Sequence, residues 1–191
     1  MGKREEIIDT AATLVHVKGF NNTSFEDVLK GSKAGKGQFY HYFESKETLG
    51  YAIIDRRFEV WRRNVLDRIF SENRGLEAIN VFFSETAEHI RKSHNSGGCP
   101  FGNLAQEMSD IHEGYRTRLK GIFDQIIGRF AEAYEEAKEM GEIGRTVDSR
   151  KAGELTFAIL QGALLVAKTY KDETIFQNAH DMVNAPFPAP H

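Results

Sequence analysis

The sequence predicts an all-α protein, three short helices at the N-terminus followed by a larger set of longer ones. Two observations carry that prediction: apolar residues recur at spacings of three and four almost throughout the 191 residues, and no segment shows convincing strand alternation. A third is punctuation, because glycines and Ser/Thr/Asp caps fall where the helical runs stop and start. No internal repeat or low-complexity block interrupts the pattern.

Ile7, Ile8, Ala11, Leu14 and Val15 make residues 3–18 an amphipathic helix closed by Gly19. Thr23 with Glu26, or Ser24 with Asp27, fits the capping box that opens a second helix ending near Gly31. After "SKAG", residues 36–43 make two turns. Ser45 caps a long helix carried by Leu49, Ile53, Ile54, Phe58, Trp61, Val65 and Ile69 to about Phe70. Leu76, Ile79, Phe83 and Ile90 mark residues 75–93, broken by "HNSGGCPFGN". A short segment over about 100–111 follows.

The series Tyr115, Leu119, Ile122, Ile126, Phe130, Ala133, Ala137 and Met140 then runs to Gly141 and Gly144. "SRKAGELTFAILQGALLVAKTY" and "ETIFQNAHDMV" supply the last two helices, and the proline-rich tail "APFPAPH" cannot stay helical. The expected division is 1–48 for the three short helices and 49–191 for the rest.

Composition excludes several classes. Cys99 is the only cysteine, so no disulfide framework exists and a reducing, cytoplasmic setting is the default. The start "MGKREEIIDT" lacks the apolar core of a signal peptide, and the most apolar run, from Phe157, is too short to span a bilayer. No membrane association, metal or cofactor is expected. The net charge of −3 gives no global sign of nucleic-acid binding, so any such claim must rest on a local surface.

The stretch "KGQFYHYFESKETL", residues 36–49, supplies that surface. With Lys36 at zero on a helical wheel, Phe39 and Phe43 fall at roughly 300° and 340° and turn into a core with Phe20, Val28 and Leu29. Gly37, Gln38 and His41 hold the opposite face, with Lys36 and Tyr40 on one flank and Tyr42 on the other. That arrangement suits a helix in a DNA major groove: glycine permits close approach, Gln and His offer hydrogen bonds to base edges, and Lys and Tyr meet phosphates. Lys46, in the first turn of its helix, opposes the macrodipole, a conflict that an anionic partner would resolve. Between Lys30 and Lys46 the charges are Lys30, Lys33, Lys36 and Lys46 against Glu44 alone. The bland reading, solvated turn residues around a small aromatic core, explains the charges but not the grouping.

Residues 5–50, with "KGF", "TSFEDVL" and "KGQFYHYFESKETL", resemble the DNA-binding domain of the TetR family of bacterial repressors. The resemblance implies a helix-turn-helix that binds a palindromic double-stranded DNA operator as a homodimer, released by a small-molecule effector held in the C-terminal helices. By position, the DNA contacts implied are Lys36, Gly37, Gln38, Tyr40, His41, Tyr42 and Lys46, with Thr23 or Ser24 meeting a phosphate. The family's G-V-S turn is here Lys33, Ala34 and Gly35, so the turn glycine and the serine cap are displaced. "SGGCPFGNLAQEMSD" resembles a segment of an electrophile-responsive branch of that family.

Pro100 is a favoured first helical residue, which places Cys99 at a helix start where free N–H groups favour a thiolate. Cys99 is then a candidate sensor of electrophiles, with Lys168 as a neighbour; the alternative is a small buried apolar residue. For an ordinary ligand, Trp61, Phe82, Phe83, Phe101, Leu104, Tyr115, Phe123 and Phe157 are pocket candidates, although each taken singly reads as core. In the helix over 152–170, Ala152, Leu155, Ile159, Gly162, Ala163, Val166 and Tyr170 offer a face with small residues at its middle for a second copy.

Other classes have thin support. A thiol-dependent all-α enzyme using Cys99 would need companions, and the seven histidines (16, 41, 89, 94, 112, 180, 191) lack ligand spacing, with no C-x-x-C, P-loop or G-x-S-x-G. A helical protein-interaction adaptor would leave the outward Gln and His unused.

Overall fold

The computed structural model describes residues 2–93 and 97–184, so His94, His191 and the proline-rich tail lie outside the described residues. Its order is α1 (Lys3–Lys18), α2 (Phe25–Ser32), α3 (Lys36–Tyr42), α4 (Lys46–Trp61), a π-helical stretch (Arg62–Asp67), α5 (Arg68–Glu72), α6 (Gly75–Lys92), α7 (Pro100–Met108), α8 (Glu113–Glu139), α9 (Ser149–Tyr170) and α10 (Thr174–Asn184). The all-α prediction holds: among the described residues there is no strand. No helix among them is long and apolar enough to cross a membrane.

Local chemistry sets the ends. Gly19 closes α1 at φ +85, a conformation that favours glycine. Of the two possible capping boxes the structure forms the second: Asp27 N–H donates to Ser24 Oγ (3.0 Å) and Ser24 N–H donates to Asp27 Oδ2 (3.1 Å). Ser45 caps α4, its Oγ accepting from Thr48 N–H at 3.1 Å. The long helix expected from residue 46 does run to Glu72, but its middle widens into the π-helical stretch, where Arg62 Nη1 binds Asp67 Oδ2 at 2.6 Å.

The chain forms two compact units, residues 1–60 with 100–120, and residues 61–99 with 121–191. In the first, Ile7, Ile8, Ala11, Val28, Phe39, Phe43, Leu49 and Ile53 form a buried cluster. In the second, Phe82 and Phe83 pack on Phe130 at centroid separations of 5.2 and 6.5 Å. There α9 approaches α8 so closely that a Cβ on Gly153 would stand 2.9 Å from Ile127 O and from Ala131 N.

Candidate functional site

The turn before α3 closes α2 and aims the next helix. Lys33 takes the left-handed conformation (φ 51, ψ 34) and Ala34 N–H reaches back to Leu29 O at 3.1 Å, a Schellman-type close. The glycine of this turn is therefore not at the left-handed position, and a lysine there costs about 1 kcal/mol relative to glycine. Gly35 opens α3 with extended backbone (φ −77, ψ 158) and no side-chain cap, its carbonyl accepting from Phe39 N–H at 3.0 Å.

The seven residues of α3 and Phe43, which follows it, then divide as the wheel predicts. Phe39 and Phe43 are 1% and 3% exposed, while Lys36, Gly37, Gln38, Tyr40 and His41 are exposed and Tyr42 is half-buried. Phe39 stands edge-on to Phe25 (centroids 4.7 Å, 86°), which in turn carries the Tyr40 ring at 5.5 Å and leaves that side chain 58% exposed. The aromatic packing thus holds the helix by one side and fixes the root of a tyrosine at its rim. A Cβ on Gly37 would meet nothing within 4 Å, so nothing in the protein demands glycine there. The open space suits close approach by another molecule.

Two expectations need correction. Phe20 does not join the Phe39 cluster; its ring packs on Tyr115 at 5.1 Å and lies beneath the Lys46 ammonium, 4.5 Å from the ring centroid. Thr23 is 1% exposed and its hydroxyl donates to Gly19 O at 2.7 Å, so it has no free face for a phosphate. Ser24 remains exposed at the start of α2. Lys46 is half-buried; burial pushes its pKa below the usual lysine value, and Glu107 opposes that shift.

Around the start of α4 lies a polar group that sequence reading missed. Tyr51 Oη donates to Glu47 Oε1, His112 Nε2 is 3.2 Å from Glu47 Oε2, and the Arg118 guanidinium lies 3.8 Å above the Tyr51 ring. The Tyr51 hydrogen bond, helped by His112 and Arg118, holds the Glu47 carboxyl below its usual range. Tyr115 is fully buried beside it, and burial pushes its phenol far above the usual range. No local pattern announces this cluster, because Tyr51 and His112 are 61 residues apart.

The effector candidates divide between the units. Phe101, Leu104 and Tyr115 belong to the first, where Phe101 packs edge-on to Phe58 at 5.8 Å. Trp61, Phe82, Phe83, Phe123, Phe157 and Lys168 belong to the second; Trp61 meets Phe82 at 6.2 Å and Phe123 meets Phe157 at 4.9 Å. Cys99 is half-buried and directly precedes Pro100, the first residue of α7. Lys168, also half-buried, is in the last turn of α9. A cleft of about 430 Å³ in the second unit is lined by Ser84, Glu88 and Arg91 of α6 and Thr174, Gln177 and His180 of α10. His180 stacks on Phe83 (5.8 Å, 17°) with Nε2 3.0 Å from Asn80 Oδ1.

On α9, Gly153, Thr156, Phe157, Leu160, Ala163 and Ala167 are buried. Leu155 (63% exposed), Val166 and Tyr170 (72%) form an outward apolar stripe at helical spacing, and on α10 Met182 is 73% exposed. Ala163, expected on that stripe, faces inward instead.

Residues 7–53 match the family described as bacterial regulatory proteins, tetR family, and residues 75–183 match the tetracyclin repressor-like C-terminal domain. The chain is 29% identical over 188 residues to an uncharacterized HTH-type transcriptional regulator in the lacX 3′ region of Lactococcus lactis subsp. lactis, covering 96% of this chain and 92% of that protein. It is 25% identical over 177 residues to the HTH-type transcriptional repressor NemR of Escherichia coli K12, covering 92% and 89%. Among solved structures, a regulatory protein TetR from Rhodobacter sphaeroides aligns with a TM-score of 0.85 at 25% identity over 94% of this chain and 95% of that one. The reduced form of Escherichia coli NemR aligns with a TM-score of 0.87 at 24% identity over 99% of both.

Proposed function

Because the chain belongs to the TetR family of bacterial regulatory proteins, we propose that it is a homodimeric repressor, released from a palindromic operator by a small-molecule effector. It is a transcriptional regulator with a helix-turn-helix, and its relatives are regulators rather than enzymes. The single observation that carries the DNA reading is the division of α3: two phenylalanines anchored inward, and Gln38 and His41 exposed on the other side.

In this reading Gln38 and His41 meet base edges, Gly37 leaves room for the groove wall, and Lys36, Tyr40, Tyr42 and Lys46 meet phosphates with Ser24 at the start of α2. The functional division falls at residues 48 and 49, and the protein works in the cytoplasm. The exposed apolar stripe of Leu155, Val166 and Tyr170, with Met182 exposed on α10, supports pairing of α9 and α10 with a second copy. Two-fold pairing requires half-sites with centres about 34–36 Å apart, or a multiple of that.

The place of Cys99 directly before the first residue of α7, with the resemblance of its segment to an electrophile-responsive branch, supports a thiol-reactive electrophile or oxidant as the effector; it modifies Cys99, with Lys168 as the proposed neighbour, and favours a state with lower DNA affinity. An ordinary apolar ligand held among second-unit candidates such as Trp61, Phe83 and Phe123 is the fallback within the same function. Selection of duplexes from a randomised pool tests the DNA reading; a palindrome bound with a linear log–log salt dependence supports it, and retention of no sequence over competitor DNA refutes it. For the effector, operator binding by wild type and Cys99→Ser is compared after treatment with a quinone. Loss in wild type alone is expected; equal loss in both disposes of Cys99 as the sensor.

A further inference from the structure

In the loop between α1 and α2, the carbonyls of Lys18, Gly19 and Phe20 are satisfied from within. Asn22 Nδ2 donates to Lys18 O (3.1 Å), Thr23 Oγ1 to Gly19 O (2.7 Å) and Thr23 N–H to Phe20 O (3.3 Å). Two of its N–H groups are served from elsewhere. Phe20 N–H and Asn21 N–H donate to Glu107 Oε2 and Oε1, at 2.9 and 2.6 Å, across 87 and 86 residues of sequence. Two successive backbone N–H groups converging on one carboxylate form an anion-binding nest, and such charge-assisted bonds are the stronger kind. Gly19, at φ +85, makes the turn that presents them and leaves the space; a Cβ there would stand 3.2 Å from Glu107 Oε2.

The Phe20 ring of that same loop carries the Lys46 ammonium, 4.5 Å from its centroid. Glu107 therefore ties α7 to the loop directly and, through Phe20, to a second place. The loop leads within three residues to Ser24, the cap of α2; the second place is the first residue of α4, which directly follows α3.

We propose that Glu107 is a positioning residue for DNA binding, fixing the α1–α2 loop and the start of α4 so that α2 and α3 present their DNA-facing residues together. The inference rests on the reading of α3 as the DNA-contacting helix. Glu107 acts through the loop and Lys46 and not by touching DNA, because a carboxylate beside a phosphate is repelled.

The test uses the full chain and the palindromic duplex that wild type selects from a randomised pool. Glu107→Gln keeps the shape but turns an amide donor toward one backbone N–H, and Glu107→Asp keeps the charge but is one methylene too short. Both are expected to lower affinity roughly tenfold or more, because charge-assisted bonds are lost. The slope of log affinity against log salt should stay at the wild-type value, whereas Lys46→Ala should reduce it by about one unit. Amide exchange at Phe20 and Asn21 should accelerate in both Glu107 variants. Wild-type affinity in either variant, tighter binding by Glu107→Gln, or a salt slope altered as in Lys46→Ala would overturn the proposal. If Glu107→Gln does not fold, Glu107→Asp alone decides by the same criteria. Failure of the wild type to select any duplex would instead strike the DNA reading itself.

Discussion

Replacing Gly50 by alanine sets two effects of opposite sign against each other. Gly50 lies inside α4, where alanine is favoured over glycine by about 1 kcal/mol. A Cβ there, however, would stand 1.7 Å from Tyr115 Oη, 2.8 Å from Tyr115 Cζ and 2.8 Å from Phe20 Cε2. Ordinary contact begins near 3.4 Å, so the phenol must retreat by about half that distance. It has nowhere easy to go, because Tyr115 is 0% exposed and packs on Phe20, Tyr51 and His112.

Overpacking of this kind costs about 1–3 kcal/mol, and expelling the ring costs about 3–5 kcal/mol, as for truncating a buried aromatic. Packing wins. Gly50→Ala should destabilise by up to about 2 kcal/mol net if the ring shifts in place and by about 2–4 kcal/mol if it is expelled, a fall in Tm of roughly 2–4 °C for each kcal/mol in a chain of this size. Because the nearest obstacle is the hydroxyl, Tyr115→Phe in the Gly50→Ala background should recover part of the loss. Denaturant unfolding of the four proteins of that cycle reads the coupling directly. If Gly50→Ala is more stable than wild type, or the two changes add within about 0.5 kcal/mol, the close approach of Tyr115 to Gly50 is refuted.

Gly153→Ala should behave similarly for a harder reason, since the atoms met are Ile127 O and Ala131 N of the α8 backbone, which cannot rotate away; a Tm equal to or above wild type would contradict it. Lys33→Gly should raise stability by about 0.5–1 kcal/mol by relieving the left-handed lysine, and an unchanged denaturation midpoint would argue against that conformation. The Asp27 carboxyl is held below its usual 3.8 by hydrogen bonds from the Ser24 N–H and hydroxyl, with help from Lys18. A depressed folded-state pKa gives stability that is present above 3.8 and lost as pH falls through the folded value. Asp27→Asn should therefore lose stability at neutral pH and show a flatter Tm profile below pH 4 than wild type; identical profiles would refute the capping box.

Most helix ends were legible because their causes are local. Gly19, the Ser24–Asp27 box, Ser45 and Pro100 each act within a turn of themselves. The inward Phe39 and Phe43 and the outward Gln38 and His41 were legible for the same reason, since α3 is short enough for a regular wheel to hold. What escaped depends on groups distant in sequence. Thr23 and Ser24 fit a capping box equally well until the Thr23 hydroxyl is seen committed to Gly19 O. Phe20 was drawn to Tyr115, the Phe101 and Tyr115 rings went to the first unit, and Glu107 meets a backbone, which carries no side-chain signature at all. The widening of the long helix at Arg62–Asp67 likewise has no periodic signal in the apolar residues.

The most direct measurement compares Gln38→Ala with wild type on the selected operator and on duplexes altered one base pair at a time. A side chain that reads a base edge contributes about 1–3 kcal/mol of discrimination, so the variant should bind roughly ten- to a hundredfold more weakly, become indifferent to one base position, and keep the wild-type Tm and salt slope. Equal affinity and an unchanged base preference at every position would contradict the assignment of α3 as the reading helix.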